Sequence, residues 1–132
     1  MAYWLLKSEP ESYSWDDLLA EGQTEWTGVR NAAAALHLKA MTVGDRAFFY
    51  HSGKDKAAVG MVEVTRTAQQ DGDEARWVSV AVKPIEPLAK AVTLAAMKAE
   101  PKLAGMEMLR QSRLSVSPVS DAQWATILAM SR

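Results

Sequence analysis

The apolar positions fall into short runs separated by turn residues, and the spacing inside each run assigns its conformation. Residues 3–8 (Tyr-Trp-Leu-Leu-Lys-Ser) are aromatic and aliphatic and are stopped by Pro10, which predicts a short central strand. Ser14 offers an N-cap hydroxyl with Asp17 at the third helical position and Tyr13 placed to pack on Leu18. That pattern predicts a helix over 15–20, ended by Gly22. Residues 31–41 are alanine-rich, carry Leu36, Leu38 and Met41, and read as a second helix closed by Gly44. Residues 47–51 predict a strand, 52–55 a turn and 57–67 a return strand broken by Gly60, followed by a polar connection over 69–74.

Residues 76–82 alternate, with Arg76, Val78, Val80 and Val82 on one face and Trp77, Ser79 and Ala81 on the other, and Pro84 and Pro87 close the run. Residues 93–97 and 101–109 read as short helices, the first capped by Thr93. Residues 113–117 predict one more strand before Pro118. A last helix starts at Ser120, with Gln123 as its capping-box partner and Trp124, Ile127 and Leu128 on its buried face. Strands and helices do not alternate in the βαβ manner. The expected fold is therefore α+β: a small, curved, mixed sheet or open barrel of five or six strands flanked by short helices. No repeat, low-complexity run or linker divides the 132 residues, which predicts a single domain over 1–132.

Composition narrows the chemistry. The absence of cysteine excludes disulfide scaffolds, thiolate metal sites and a Cys nucleophile, and two histidines, His37 and His51, make a metal centre an unfavourable reading. No cofactor motif is present: GxGxxG and GxSxG are absent, and Gly53-Lys54 lacks the rest of a phosphate loop. No apolar run reaches the length of a membrane span and no leader is evident, so a cytoplasmic protein without membrane contact is expected, and nothing demands an obligate dimer. Net charge is −1, yet the first 29 residues hold only Lys7 against six acids. Five tryptophans stand out, three of them in the first 26 residues.

Three stretches carry more than packing residues. Lys7-Ser8-Glu9-Pro10 ends the opening strand, where side chains are held rigidly yet reach solvent. Trp26-Thr27-Gly28-Val29-Arg30-Asn31 sets a flat apolar ring beside a glycine and a helix N-terminus, and Asn31 doubles as a helix cap. Tyr50-His51-Ser52 gathers donors and acceptors at another strand end. Together they offer a stacking surface, hydrogen-bonding groups and two cations, the combination a nucleobase needs. Stacking contributes about 1–3 kcal/mol per base and must help recover the few kcal/mol lost when a base is unstacked.

Residues 4–12, 26–31, 48–52 and 113–119, in that order and spacing, closely resemble the EVE domain. The resemblance implies a PUA-like fold and a pocket for a modified base, notably a 5-substituted cytosine in DNA, with modified RNA also proposed. Carried over by position, Trp26 would be a cage wall. Ser8 and Asn31 would bond the base edge or its backbone, and Tyr50, His51 and Ser52 would line the opposite rim. Lys7, Arg30 and Arg113 would meet the nucleic-acid backbone. The chain departs from the family pattern at Ala32-Ala33-Ala34-Ala35, where a polar helix is common, and at 67–71, where a Tyr-Pro-Asp segment is common. Trp4 or Trp77 is then the candidate second wall.

The implied function is a non-enzymatic reader of a modified base. A competing expectation is a hydrolase of modified nucleosides like the ASCH group of the same superfamily, for which Lys7, Ser8 and Glu9 supply the residue types. A third is a protein-interaction module whose tryptophans are core; Trp15 and Trp124 lie on apolar helix faces and read as packing residues in every case.

Overall fold

The computed structural model describes residues 1–132. The strands are β1 (Tyr3–Ser8), β2 (Thr24–Trp26), β3 (Arg46–His51), β4 (Ala57–Gln70), β5 (Val78–Thr93) and β6 (Val116–Val119). The helices are α1 (Trp15–Glu21), α2 (Ala32–Ala40), α3 (Leu94–Ala99), α4 (Glu107–Arg110) and α5 (Asp121–Met130), with a 3₁₀ turn at Pro101–Leu103. The strands form one open mixed sheet in the order β2-β5-β4-β3-β1-β6. Only β1 and β3 are parallel, joined by the α1–β2–α2 crossover. The α+β class with an open, helix-flanked mixed sheet is the one expected. No helix is long and apolar enough to cross a membrane.

Strand alternation sends successive side chains of β1 and β3 to opposite faces, and both faces are covered. On one, Leu6, Phe49, Val62 and Val64 pack with Trp15 and Leu18 of α1, Leu38 of α2 and Trp26 of β2. On the other, Leu5, Phe48, Tyr50 and Met61 pack with Met97, Met108, Trp124 and Ile127. Trp124 stacks on Phe48 at 3.9 Å and on Tyr3 at 4.3 Å between ring centroids. Trp15 and Trp124 are core residues, as their helix positions require.

Three expectations are corrected. The β5 strand does not stop at Pro84 but runs through Pro84 and Pro87 to Thr93. Its outer edge is paired with β2 only at Val80–Val82, so beyond that point a missing N–H breaks no outer ladder. Shifts in the β4 register fall beside both prolines. Likewise β6 begins at Val116, after Arg113, and passes through Pro118, which the outermost strand of the sheet tolerates. Gly60 does not break β4. A Cβ there would lie 2.5 Å from the Trp15 ring, so glycine lets that ring lie directly against the strand backbone. In addition, β2 replaces part of what reads as loop, and the 101–109 helix is divided at Gly105 into the 3₁₀ turn and α4.

The turn between α2 and β3 is organised by a buried carboxylate. Asp45, 2% exposed, accepts hydrogen bonds from the Ala2 and Thr42 backbone N–H groups, the Thr42 hydroxyl and the Trp4 indole, all at 3.0–3.1 Å. Burial alone would raise its pKa, but these donors hold the carboxyl below its ordinary value. The group therefore stabilises the fold fully above the unfolded carboxyl range near about 4, and the contribution fades as pH falls through the lower folded value. Asp45→Ala is expected to cost about 3 kcal/mol at neutral pH by leaving buried donors unpaired. Denaturant unfolding should show the gap from the parent narrowing at low pH; an equal gap at both ends would contradict the charged network.

Candidate functional site

The C-terminal ends of the parallel pair place Lys7 beside Tyr50 and Ser8 beside His51. A cleft of about 480 Å³ opens here, bounded by Lys7, Ser8 and Glu9, by Ser12 and Tyr13 before α1, by β2, and by the 27–30 loop. Trp26 forms its apolar wall. The ring is only 8% exposed, set edge-to-face on Phe49 at 5.5 Å and on Tyr13 at 6.5 Å. It is thus a core residue that presents a small part of its ring to the cleft, held by packing that fixes its rotamer.

Tyr13 is the second aromatic of the cleft. Its hydroxyl donates to Glu21, and burial together with that bond pushes its pKa up to about 12. The residue reads in sequence as a staple onto α1, which hides its second role; its position three residues after the end of the Lys-Ser-Glu-Pro segment is the only signal. Trp4 and Trp77 do not line the cleft. Trp4 is buried with its indole N–H bound to Asp45. Trp77 lies at the β4–β5 hairpin, flanked by Arg76 at 4.4 Å and Arg30 at 5.7 Å, with its N–H on Glu74. Thr24 and Glu25 also border the cleft and carry no motif that singles them out, and Thr27 and Ser115 border it from within the 26–31 and 113–119 stretches.

The 27–30 loop is clasped from the opposite hairpin. Gly28, at φ +79°, donates its N–H to Asp71 Oδ2 at 2.8 Å, and the Arg30 guanidinium meets the same oxygen at 3.1 Å. A second Arg30 nitrogen reaches the Asp71 carbonyl oxygen at 3.2 Å. Glycine is required for the positive φ. The Gly28 N–H and then Arg30 hold the Asp71 carboxyl below its ordinary value. Arg30 therefore borders the cleft with its charge already matched.

The remaining expected residues fall elsewhere around the same strand ends. Ser8 borders the cleft, but its hydroxyl donates to the Tyr13 carbonyl at 2.6 Å. Asn31 caps α2 through Ala34 N–H and, with Arg113, borders a separate shallow depression. His51 accepts the Trp15 N–H at Nε2 (3.0 Å), which leaves Nδ1 to donate to Asp55 at 3.2 Å. It joins α1 to β3 and lines no cleft with Trp26. Tyr50 and Ser52 border a second cleft across Lys7. The Lys7 ammonium donates to the Ser112 carbonyl at 2.8 Å, and its partial burial lowers its pKa. No three His, Cys, Asp or Glu side chains cluster as metal ligands.

The clasp has a measurable consequence. Because Asp71 titrates below the ordinary carboxyl range, the Gly28 bond persists at neutral pH and is lost as pH falls through that lower value. The Gly28 amide resonance should move in one step with that midpoint, and Asp71→Asn should remove the step. A Gly28 resonance that is flat through acid pH would contradict the bond.

Comparison with known proteins bears on the whole chain. A structure from Rhodopseudomonas palustris is 49% identical and superposes with a TM-score of 0.93, covering 99% of this chain and 93% of that one. The human THYN1 protein, solved in complex with 5-methylcytosine-containing DNA, is 28% identical with a TM-score of 0.94, covering 100% and 98%. The full human thymocyte nuclear protein 1 sequence matches at 28% identity over 98% of this chain and 73% of its own length. An ASCH protein from Zymomonas mobilis, at 9% identity and a TM-score of 0.65, shares the fold alone. The EVE domain model matches residues 2–130, and this chain belongs to the EVE domain family.

Proposed function

We propose that the chain is a non-enzymatic nucleic-acid-binding module that takes a modified base, a 5-substituted cytosine, into the cleft lined by Trp26 and Tyr13. The observation that carries this reading is the cleft itself, a rigid aromatic wall rimmed by hydroxyl and backbone groups in a chain that superposes over its full length on the human protein bound to 5-methylcytosine DNA. Lys7 supplies a cation with no carboxylate partner at the cleft, and Ser8, Ser12, Thr24 and Thr27 supply polar groups for a base edge. DNA is the first expected ligand and modified RNA the second. A cytoplasmic monomer is part of the same reading; the cysteine-free, nearly neutral composition agrees with it.

Oligonucleotides carrying cytosine, 5-methylcytosine, 5-hydroxymethylcytosine or N6-methyladenine, titrated at a stated salt concentration, test it. A 5-substituted cytosine should bind most tightly. Tyr13→Ala should weaken that binding about 5- to 150-fold, the loss expected for one stacking ring, while leaving the unmodified background in place. Trp26→Phe is the matching change at the wall, because Trp26→Ala would also open a core cavity. Equal weak binding to all four strands, insensitive to Tyr13, would overturn the proposal.

One observation favours a second reading. Lys7, Ser8 and Glu9 all border the same cleft, and the lowered pKa of Lys7 moves it in the direction a general base requires. A hydrolase of acylated nucleosides would convert N4-acetylcytidine to cytidine, and Lys7→Ala would abolish that turnover. Under the reader proposal no conversion occurs.

A further inference from the structure

A second cleft, of about 360 Å³, lies on the other side of the Lys7 side chain. Three lysines border it, Lys7, Lys56 and Lys98, together with the Tyr50 ring and the apolar side chains of Leu94 and Met108. No carboxylate borders it, and none of the three ammonium groups has a carboxylate partner within 4.0 Å. The contrast with the first cleft is chemical, since Glu9 and Glu25 border that one. Asp55, one residue before Lys56, is engaged by His51. Lys56 is the sole non-glycine residue at positive φ (+44°), a strained conformation for a residue with a side chain. Its carbonyl accepts the Leu94 N–H at 2.7 Å, which ties the start of β4 to the start of α3 and sets Lys56 in the same cleft as Lys98.

Cations without carboxylate partners, gathered in one cleft, are the groups that follow a nucleic-acid backbone. We infer that the second cleft holds a phosphodiester of the strand whose modified base occupies the first. Lys56 and Lys98 are the phosphate-binding residues, and Lys7, whose ammonium lies 5.7 Å from the centroid of the buried Tyr50 ring, stands where the strand passes between clefts. The inference rests on the reading of the first cleft given above. It accounts for the way a nearly neutral protein gains backbone affinity from a local cluster of charge rather than from its net charge.

The test compares the parent protein with the double variant Lys56→Gln/Lys98→Gln. Both lysines are exposed, so the fold should be retained, and circular dichroism checks this. Binding of a short single strand with one 5-methylcytosine is followed across a salt series. The double variant should bind about tenfold more weakly near 0.1 M salt, and the slope of log affinity against log salt should fall in magnitude by about 0.7, one phosphate contact on a single strand. Free 5-methyl-2′-deoxycytidine should bind parent and variant equally. Lys90→Gln/Lys102→Gln, which lies outside both clefts, should leave the slope unchanged. A neutral methylphosphonate linkage on one side of the modified base should make parent and double variant equivalent, which places the phosphate. Inorganic phosphate alone should bind neither, separating a strand contact from a free-anion site. An unchanged slope, or an equal loss in the control variant, overturns the inference. Failure of the free nucleoside to bind the parent overturns the first-cleft reading instead, and the two results are read independently.

Discussion

Phe49 is the residue on which the site depends. It is fully buried in the middle of the sheet, and four aromatic rings converge on it: Trp26 at 5.5 Å, Trp15 and His51 at 5.6 Å, and Tyr13 at 6.4 Å. Each belongs to a different segment, so one side chain joins β2, α1, the 9–14 connection and the end of β3. Edge-to-face pairs of this kind add about 0.5–1.5 kcal/mol each beyond the area they bury. The cleft's aromatic wall is therefore an extension of the core rather than a loop resting on it. A ring already fixed loses little rotamer freedom when a ligand stacks on it, and this preorganisation favours binding.

The acidic N-terminal segment raises an electrostatic difficulty that the structure resolves residue by residue. Glu21 is engaged by the Tyr13 hydroxyl, Glu25 by Arg66 at 3.0 Å and Asp71 by Gly28 and Arg30. These carboxylates hold the cleft's own elements in place, and their charge is turned toward donors. Glu9 borders the first cleft without a cationic partner; against it stand Lys7, Lys56 and Lys98, so what stays uncompensated around the two clefts is positive on balance. Local pairing thus matters more than the net charge of −1 in deciding whether a polyanion can approach.

Much of this was legible in the chain because local chemistry specified it. Ser14 and Ser120 form the capping boxes that their spacing with Asp17 and Gln123 demands, and β1 and β3 follow from their apolar runs. What the sequence hid was decided by neighbours distant in the chain. Pro84 and Pro87 read as strand ends unless the outer edge of β5 is known to be open there. Trp4 reads as a free ring until Asp45, forty-one residues away, takes its indole N–H. His51 and Asn31 carry the right functional groups, but the α1 and α2 N-termini use them, which local spacing disclosed for Asn31 and could not for His51. Tyr13 was concealed in the opposite way, by a plausible local role as a helix staple.

The position of Lys7 follows from the strand period and has a consequence for both clefts. Alternation assigns Lys7 and Ser8 to opposite faces of β1, yet both border the first cleft, which opens at the end of the strand. Lys7 borders the second cleft as well, with its ammonium fixed on Ser112. A ligand group in either cleft that draws the ammonium away must replace that bond and reposition the wall of the other. If both clefts hold ligand as proposed, such a displacement couples their occupancies, and that coupling is reciprocal whatever its sign. A strand threading both clefts at once engages Lys7 from both sides, whereas a free nucleoside meets it from one. The end of β1 thus makes a single cation the common boundary of an aromatic cleft and a lysine-lined one.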